Sequence, residues 1–145
     1  MIEQHSDLVA SMASIRGSLD SDHTPVVTIA IASASGPSTF VDAVIDTGFT
    51  GLVQVPAPLA AAAGLTPRTA TEIQYPDGRI DTIPPAWGRI TLGAEAREGF
   101  VHIQRGSDEA IVGVEFLRLF RKTLILSVSD GTVLLIDSLA DLTPE

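Results

Sequence analysis

Cysteine is absent from the 145 residues. That removes disulfides, thiolate nucleophiles and cysteine-based zinc sites in one step. Basic residues are scarce: nine Lys and Arg stand against eighteen Asp and Glu, a formal net charge of −9. A nucleic-acid footprint needs clustered Lys and Arg to neutralise phosphates, and anionic membranes attract the same clusters. Neither nucleic acid nor membrane is expected as a partner. Aromatic residues are only 5% of the chain while hydrophobic residues reach 45%, so Val, Ile, Leu and Ala must build the core. No apolar run approaches the ~18–20 residues of a membrane span. The start, Met1 to Asp7, is acidic and lacks the basic and apolar regions of a signal peptide. With no cysteine, this sets the expectation of a cytoplasmic protein.

Several kinds of chemistry are also missing. His5, His23 and His102 do not lie at metal-ligand spacing, no EF-hand loop is present, and no glycine-rich phosphate cradle occurs. No metal and no cofactor are expected. No Gly-x-Ser-x-Gly elbow is present, and each histidine reads as an ordinary surface or loop residue.

What remains is a succession of short apolar runs punctuated by nine prolines and twelve glycines. Residues 14–19 suggest a first strand. Pro25 to Ile31 is a stronger one, rich in β-branched residues, and a Ser/Gly/Pro turn leads to a further strand over Thr39 to Asp46. Leu52 to Val55 is extended. Pro58 to Gly64 suits a short helix, with proline at its start, alanine in its body and glycine at its end. Thr69 to Tyr75 and Ile80 to Ile83 flank an Asp-Gly hairpin tip. Trp87 to Leu92 and Gly99 to Gln104 are two strands with a polar connection, residues 93–98, between them. Ala110 to Gly113 is a short buried strand before a helix over Val114 to Phe120, and Lys122 to Val128 with Thr132 to Ile136 form a closing hairpin. About ten short strands with one or two short helices is an all-β, closed-barrel pattern. The expected domain is residues 14–138, with an N-terminal extension at 1–13 and a polar tail at 139–145.

The stretch that stands out is Val41-Asp42-Ala43-Val44-Ile45-Asp46-Thr47-Gly48-Phe49-Thr50-Gly51, an apolar strand that ends in a carboxylate and a small turn. Two carboxylates sharing one proton can serve as base and acid together. Asp42 cannot be the partner of Asp46: four residues apart on one strand, they stand ~13 Å apart. On the tripeptide alone, Asp46 reads as a turn aspartate closing a strand. Its context adds weight to chemistry, because a second hydrophobic-hydrophobic-glycine segment, Ile111-Val112-Gly113, precedes the late helix.

With these segments in order, the chain resembles the retropepsin-like (clan AA) aspartic proteases, and most of all the bacterial and archaeal branch that carries Asp-Thr-Gly-Phe. Pro25 to Ile31 is similar to the family's strand before the catalytic one, Val44 to Gly51 to its catalytic loop, and Ala110 to Leu124 to its late glycine-helix-strand segment. The resemblance covers roughly residues 14–136. It implies a retropepsin-like (acid protease) closed barrel and an aspartic endopeptidase that acts on a peptide or protein. One Asp-Thr-Gly per chain implies a homodimer in which Asp46 of each copy forms the dyad. It further implies that Thr47 and Gly48 support the dyad and that Phe49, Ile111, Val112 and Gly113 support the loop. Gln74, Tyr75, Pro76, Asp77, Gly78, Arg79 and Ile80 occupy the place of the flap. Two departures stand out. Phe49 replaces the small residue of viral members, either narrowing the site or packing outward, and the flap tip is polar and not glycine-rich. Two other readings remain: a catalytically inactive retropepsin-fold module that dimerises or binds peptides, and a β-barrel ligand-binding protein with a coincidental Asp-Thr-Gly.

Overall fold

The computed structural model describes residues 14–66, 71–74, 80–83 and 85–139. The N-terminal extension, the flap tip Tyr75 to Arg79 and the tail beyond Leu139 lie outside the described residues. Twelve strands and two short helices are present among those described: β1 (Ser14–Arg16), β2 (Ser18–Leu19), β3 (Pro25–Ala32), β4 (Thr39–Ile45), β5 (Val53–Pro56), α1 (Ala57–Ala62), β6 (Thr71–Gln74), β7 (Ile80–Ile83), β8 (Ala86–Leu92), β9 (Glu95–Gln104), β10 (Ala110–Val112), α2 (Val114–Leu119), β11 (Lys122–Ser127) and β12 (Thr132–Asp137).

The body is a closed, six-stranded barrel. Its strands run β3-β4-β10-β5-β9-β8, and β8 returns to pair with β3, so the sheet closes on itself. Closure leaves these strands no free edge. The inner face carries the apolar half of each alternation. On β4, Ala43 and Ile45 are buried while Asp42 is exposed and Val44 half-exposed. On β8, Ala86, Ile90 and Leu92 point inward. Among the described residues, no polar or charged residue is buried as a whole. Phe116 and Phe120 are the two fully buried rings, with centroids 4.8 Å apart, and aliphatic side chains make up the rest of the core. This is the core that a chain poor in aromatics can build.

A second sheet, β1-β12-β11, lies beside the barrel. Residues 14–19, which the sequence suggests as one strand, divide at Gly17. β1 pairs with β12 while β2 pairs with β3. A side chain at Gly17 would strike the Val26 carbonyl and Val133. The glycine lets the chain cross from one sheet to the other where backbones nearly touch.

Residues 93–98, expected as a polar connection, differ. Gly93 takes φ +59° in a tight turn, and β9 already begins at Glu95. The polar residues there have strand partners of their own. Glu95 pairs with Lys122 at 2.7 Å, and the Arg97 guanidinium lies 5.5 Å from the centre of the Phe120 ring. α1 starts one residue earlier than expected, with Pro58 in its first turn. It closes through Gly64 at φ +71°, with the Leu65 amide on the Ala60 carbonyl. Among the described residues, no helix is long and apolar enough to cross a membrane.

Candidate active site

β4 and β5 are neighbours in sequence, yet they do not pair. β10 lies between them, parallel to β4 and antiparallel to β5, with Val112 level with Ile45 on one side and Val53 on the other. The chain from Asp46 to Leu52 must therefore arch over the end of β10. This topology makes the Asp-Thr-Gly turn a bridge between two strands and not an ordinary hairpin tip.

The arch is fastened to what lies beneath it. The Asp46 amide donates to the Val112 carbonyl at 2.9 Å, the Gly113 amide to the Leu52 carbonyl at 3.1 Å and the Val114 amide to the Phe49 carbonyl at 2.9 Å. The Phe49 amide closes the turn on the Asp46 carbonyl at 3.1 Å. Both ends and the middle of the loop are thus held by backbone bonds, the kind of support that fixes a polar group in one orientation. Gly113 is buried, and a Cβ there would collide with the carbonyls of Phe49 and Gly51. Only a glycine lets the start of α2 approach the loop this closely.

Asp46 follows the outward positions of β4, Phe40, Asp42 and Val44, and its side chain is exposed. Its Oδ1 accepts the Gly48 amide at 2.8 Å. A Cβ at Gly48 would sit 3.1 Å from that oxygen, so a small residue there keeps access to the carboxylate. Thr47 and Gly48 are exposed beside it. Asp42 accepts the Thr28 hydroxyl at 2.6 Å across the strand pair.

Phe49 packs back toward the barrel. Its ring lies where a Cβ at Gly51 would be 2.5 Å from Cζ, and it meets the His102 ring edge-on with centroids 6.2 Å apart. Of the two possibilities for its bulk, the structure shows a ring lodged against Gly51, Gly113 and His102. His102 does not lie in a loop. It is half-buried in β9, level with Gln54 of β5. Burial lowers its pKa from the ordinary 6.5, which favours the neutral imidazole against the phenyl ring. A charge-free contact of this kind leaves little trace in a sequence. The only hint is the outward alternation of Phe100 and His102 along β9.

Val112 is fully buried and Ile111 half-buried beneath the arch. Gln74 and Ile80 are paired across the β6–β7 hairpin, and the residues between them lie outside the described set. Trp87 lies on the barrel wall, edge-on to Phe100 at 5.0 Å. Among the described residues, no cluster of three His, Asp or Glu side chains could hold a metal ion.

No protein-family model matches the chain, and no curated protein sequence matches it. Solved structures do. A retropepsin-like aspartic protease from Rickettsia conorii superposes with a TM-score of 0.63 at 12% identity, over 88% of this chain and 92% of that one. The retroviral protease-like domain of Ddi1 from Leishmania major superposes with a TM-score of 0.51 at 13% identity, over 79% of this chain and 96% of that one. At such identities the likeness is one of fold: the chain is built on the retropepsin-like barrel.

Proposed function

We propose that the protein is an aspartic endopeptidase of the retropepsin-like kind, in the branch marked by Asp-Thr-Gly-Phe, and that its active site forms between two copies of the chain. The observation that carries this reading is the Asp46 loop: an exposed carboxylate on an arch held by backbone bonds to β10 and α2, within a retropepsin-like barrel. One chain offers one such carboxylate. Asp42, the nearest alternative in sequence, is engaged by Thr28. A two-fold axis beside the loop brings Asp46 of each copy together, because in such an assembly one patch meets itself.

Two carboxylates in contact cannot both ionise, so the pair shares a proton and titrates as a unit. The ionised member takes a proton from a water as that water attacks the scissile carbonyl carbon. The protonated member gives its proton to the carbonyl oxygen. The tetrahedral intermediate then collapses: the Asp46 that took the water's proton gives it to the leaving nitrogen, the C–N bond breaks, and the other Asp46 takes back a hydroxyl proton as the carbonyl re-forms. Activity follows a bell-shaped pH profile. In this reading Thr47 bonds across the interface and Gly48 admits the substrate backbone. Gln74 to Ile80 cover an extended peptide, while Phe49, Ile111, Val112 and Gly113 hold the loop. The setting that fits is the cytoplasm.

Asp46→Asn tests the proposal. The variant should keep its fold, read by circular dichroism, and lose hydrolysis of a mixed peptide pool by at least about a thousandfold. Cleavage that persists would overturn it. A wild-type protein that dimerises and binds peptides without cutting them would instead be the inactive module.

A further inference from the structure

A cavity of about 740 Å³ runs along the outside of the barrel between β3–β4 and α1. Its volume lies within the range of about 300–1,000 Å³ usual for ligand pockets. The surface is mostly apolar: Val26 and Val44 on one wall, Leu59 and Ala62 of α1 on the other, and Ala110 at the base. The charged residues that line it are all of one sign. Asp20 and Asp42 stand on the strand side, and Asp108 and Glu109 at the approach to β10. No Lys or Arg lines it among the described residues. Asp108 and Glu109 are exposed at their end of the groove.

The groove comes nearest to Asp46 in sequence at Val44, which lines it two residues earlier on β4. Asp42 and Val44 occupy the same outward series of β4 that ends in Asp46. At ~3.3 Å per residue, Val44 is ~7 Å and Asp42 ~13 Å from Asp46 along the strand. An extended peptide that runs alongside β4 from Asp46 reaches the groove within about two to four residues.

We propose that this groove is the specificity subsite of the enzyme and that it takes lysine or arginine side chains of an extended substrate, about two to four residues from the scissile bond. This rests on the protease reading above. Lys and Arg are the side chains that pair an aliphatic stem with a cationic head. The stem lies on Val26, Val44 and Leu59 while the head meets the carboxylates of Asp108, Glu109 and Asp20. An acidic segment is excluded by repulsion from the same groups, so the rim both selects and rejects.

Binding is measured on the full chain carrying Asp46→Asn, so that no probe is consumed. The probe is a fluorescent peptide alternating valine with arginine, read by anisotropy, and its control has glutamate in place of arginine. The arginine peptide should bind at least about tenfold more tightly at low salt and weaken as salt is raised. Adding Asp108→Asn and Glu109→Gln should weaken it about three- to thirtyfold. Asp20→Asn, which retains the oxygen that accepts the Asp22 and Thr24 amides, should weaken it in the same direction by less. Equal binding of the two peptides, or unchanged affinity after the Asp108 and Glu109 substitutions, overturns the proposal. Hydrolysis of an uncharged peptide pool by the wild-type chain is measured in parallel. Its persistence when the groove prediction fails leaves the protease reading standing. Its absence beside charge-selective binding removes the protease reading and leaves a binding groove.

Discussion

Gly113 is the residue on which the geometry of the loop depends most. Its missing side chain lets the Phe49 and Gly51 carbonyls lie against the start of α2. Gly113→Ala must move backbone, since the atoms in the way are carbonyl oxygens and not flexible side-chain ends. A cost of about 1–3 kcal/mol is expected from such overpacking. Peptide hydrolysis should fall with it, because the Val114-to-Phe49 and Gly113-to-Leu52 bonds that hold the arch are the ones disturbed. Urea denaturation and a peptide-cleavage assay check the two effects. His102 gives a second test at this scale. Its pKa is lowered by burial from 6.5, so below that value the unfolded chain binds a proton that the folded chain resists. The histidine's contribution is complete above pH 6.5 and is lost as pH falls toward the folded value. The melting temperature of His102→Gln should therefore drop less than that of the parent between pH 7.5 and 5.5. An identical drop would show that burial of the imidazole has no energetic consequence.

At the scale of elements, Lys122 joins the barrel to the second sheet. Its side chain is 4% exposed and reaches Glu95 of β9 at 2.7 Å and Asp137 of β12 at 2.8 Å. Burial works to lower its pKa, but the hydrogen bonds and charges of Asp137 and Glu95 outweigh it and hold the ammonium above its ordinary 10.5. Since the folded value is the higher one, this stabilisation is complete below pH 10.5 and is lost as pH rises through the folded pKa. Lys122→Met should cost about 1–3 kcal/mol near neutrality, the lower part of the range for broken buried pairs because both carboxylates remain well hydrated. The gap from the parent should shrink in strong alkali. Denaturation at pH 8 and pH 11 measures both. The same region shows what the sequence makes legible. β3, β4 and β8 follow from β-branched, alternating runs, and α1 from proline and glycine at its ends. β9 is longer than its apolar part because Glu95 and Arg97 find partners in Lys122 and Phe120. Those partners are more than twenty residues away, and local pattern cannot show them. The division at Gly17 is hidden for the same reason: it answers to Val26 and Val133.

For the whole molecule, the order of the strands matters more than any one of them. The insertion of β10 between β4 and β5 brings Ile111, Val112 and Gly113 under a loop some sixty residues earlier in the chain. The pairing of two such segments is visible in the sequence only as a resemblance. Asp46 itself is legible, as a carboxylate at the end of an apolar strand. The acidic groove is not, because Asp20, Asp42, Asp108 and Glu109 come together only when the barrel closes. The central claim is that Asp46 acts as a pair across two copies. Titrating the wild-type protein calorimetrically with a statine-type peptide, which imitates the tetrahedral intermediate, tests it most directly. The account predicts tight binding at one inhibitor per two chains, abolished by Asp46→Asn. One inhibitor per chain, or binding that survives Asp46→Asn, would contradict it.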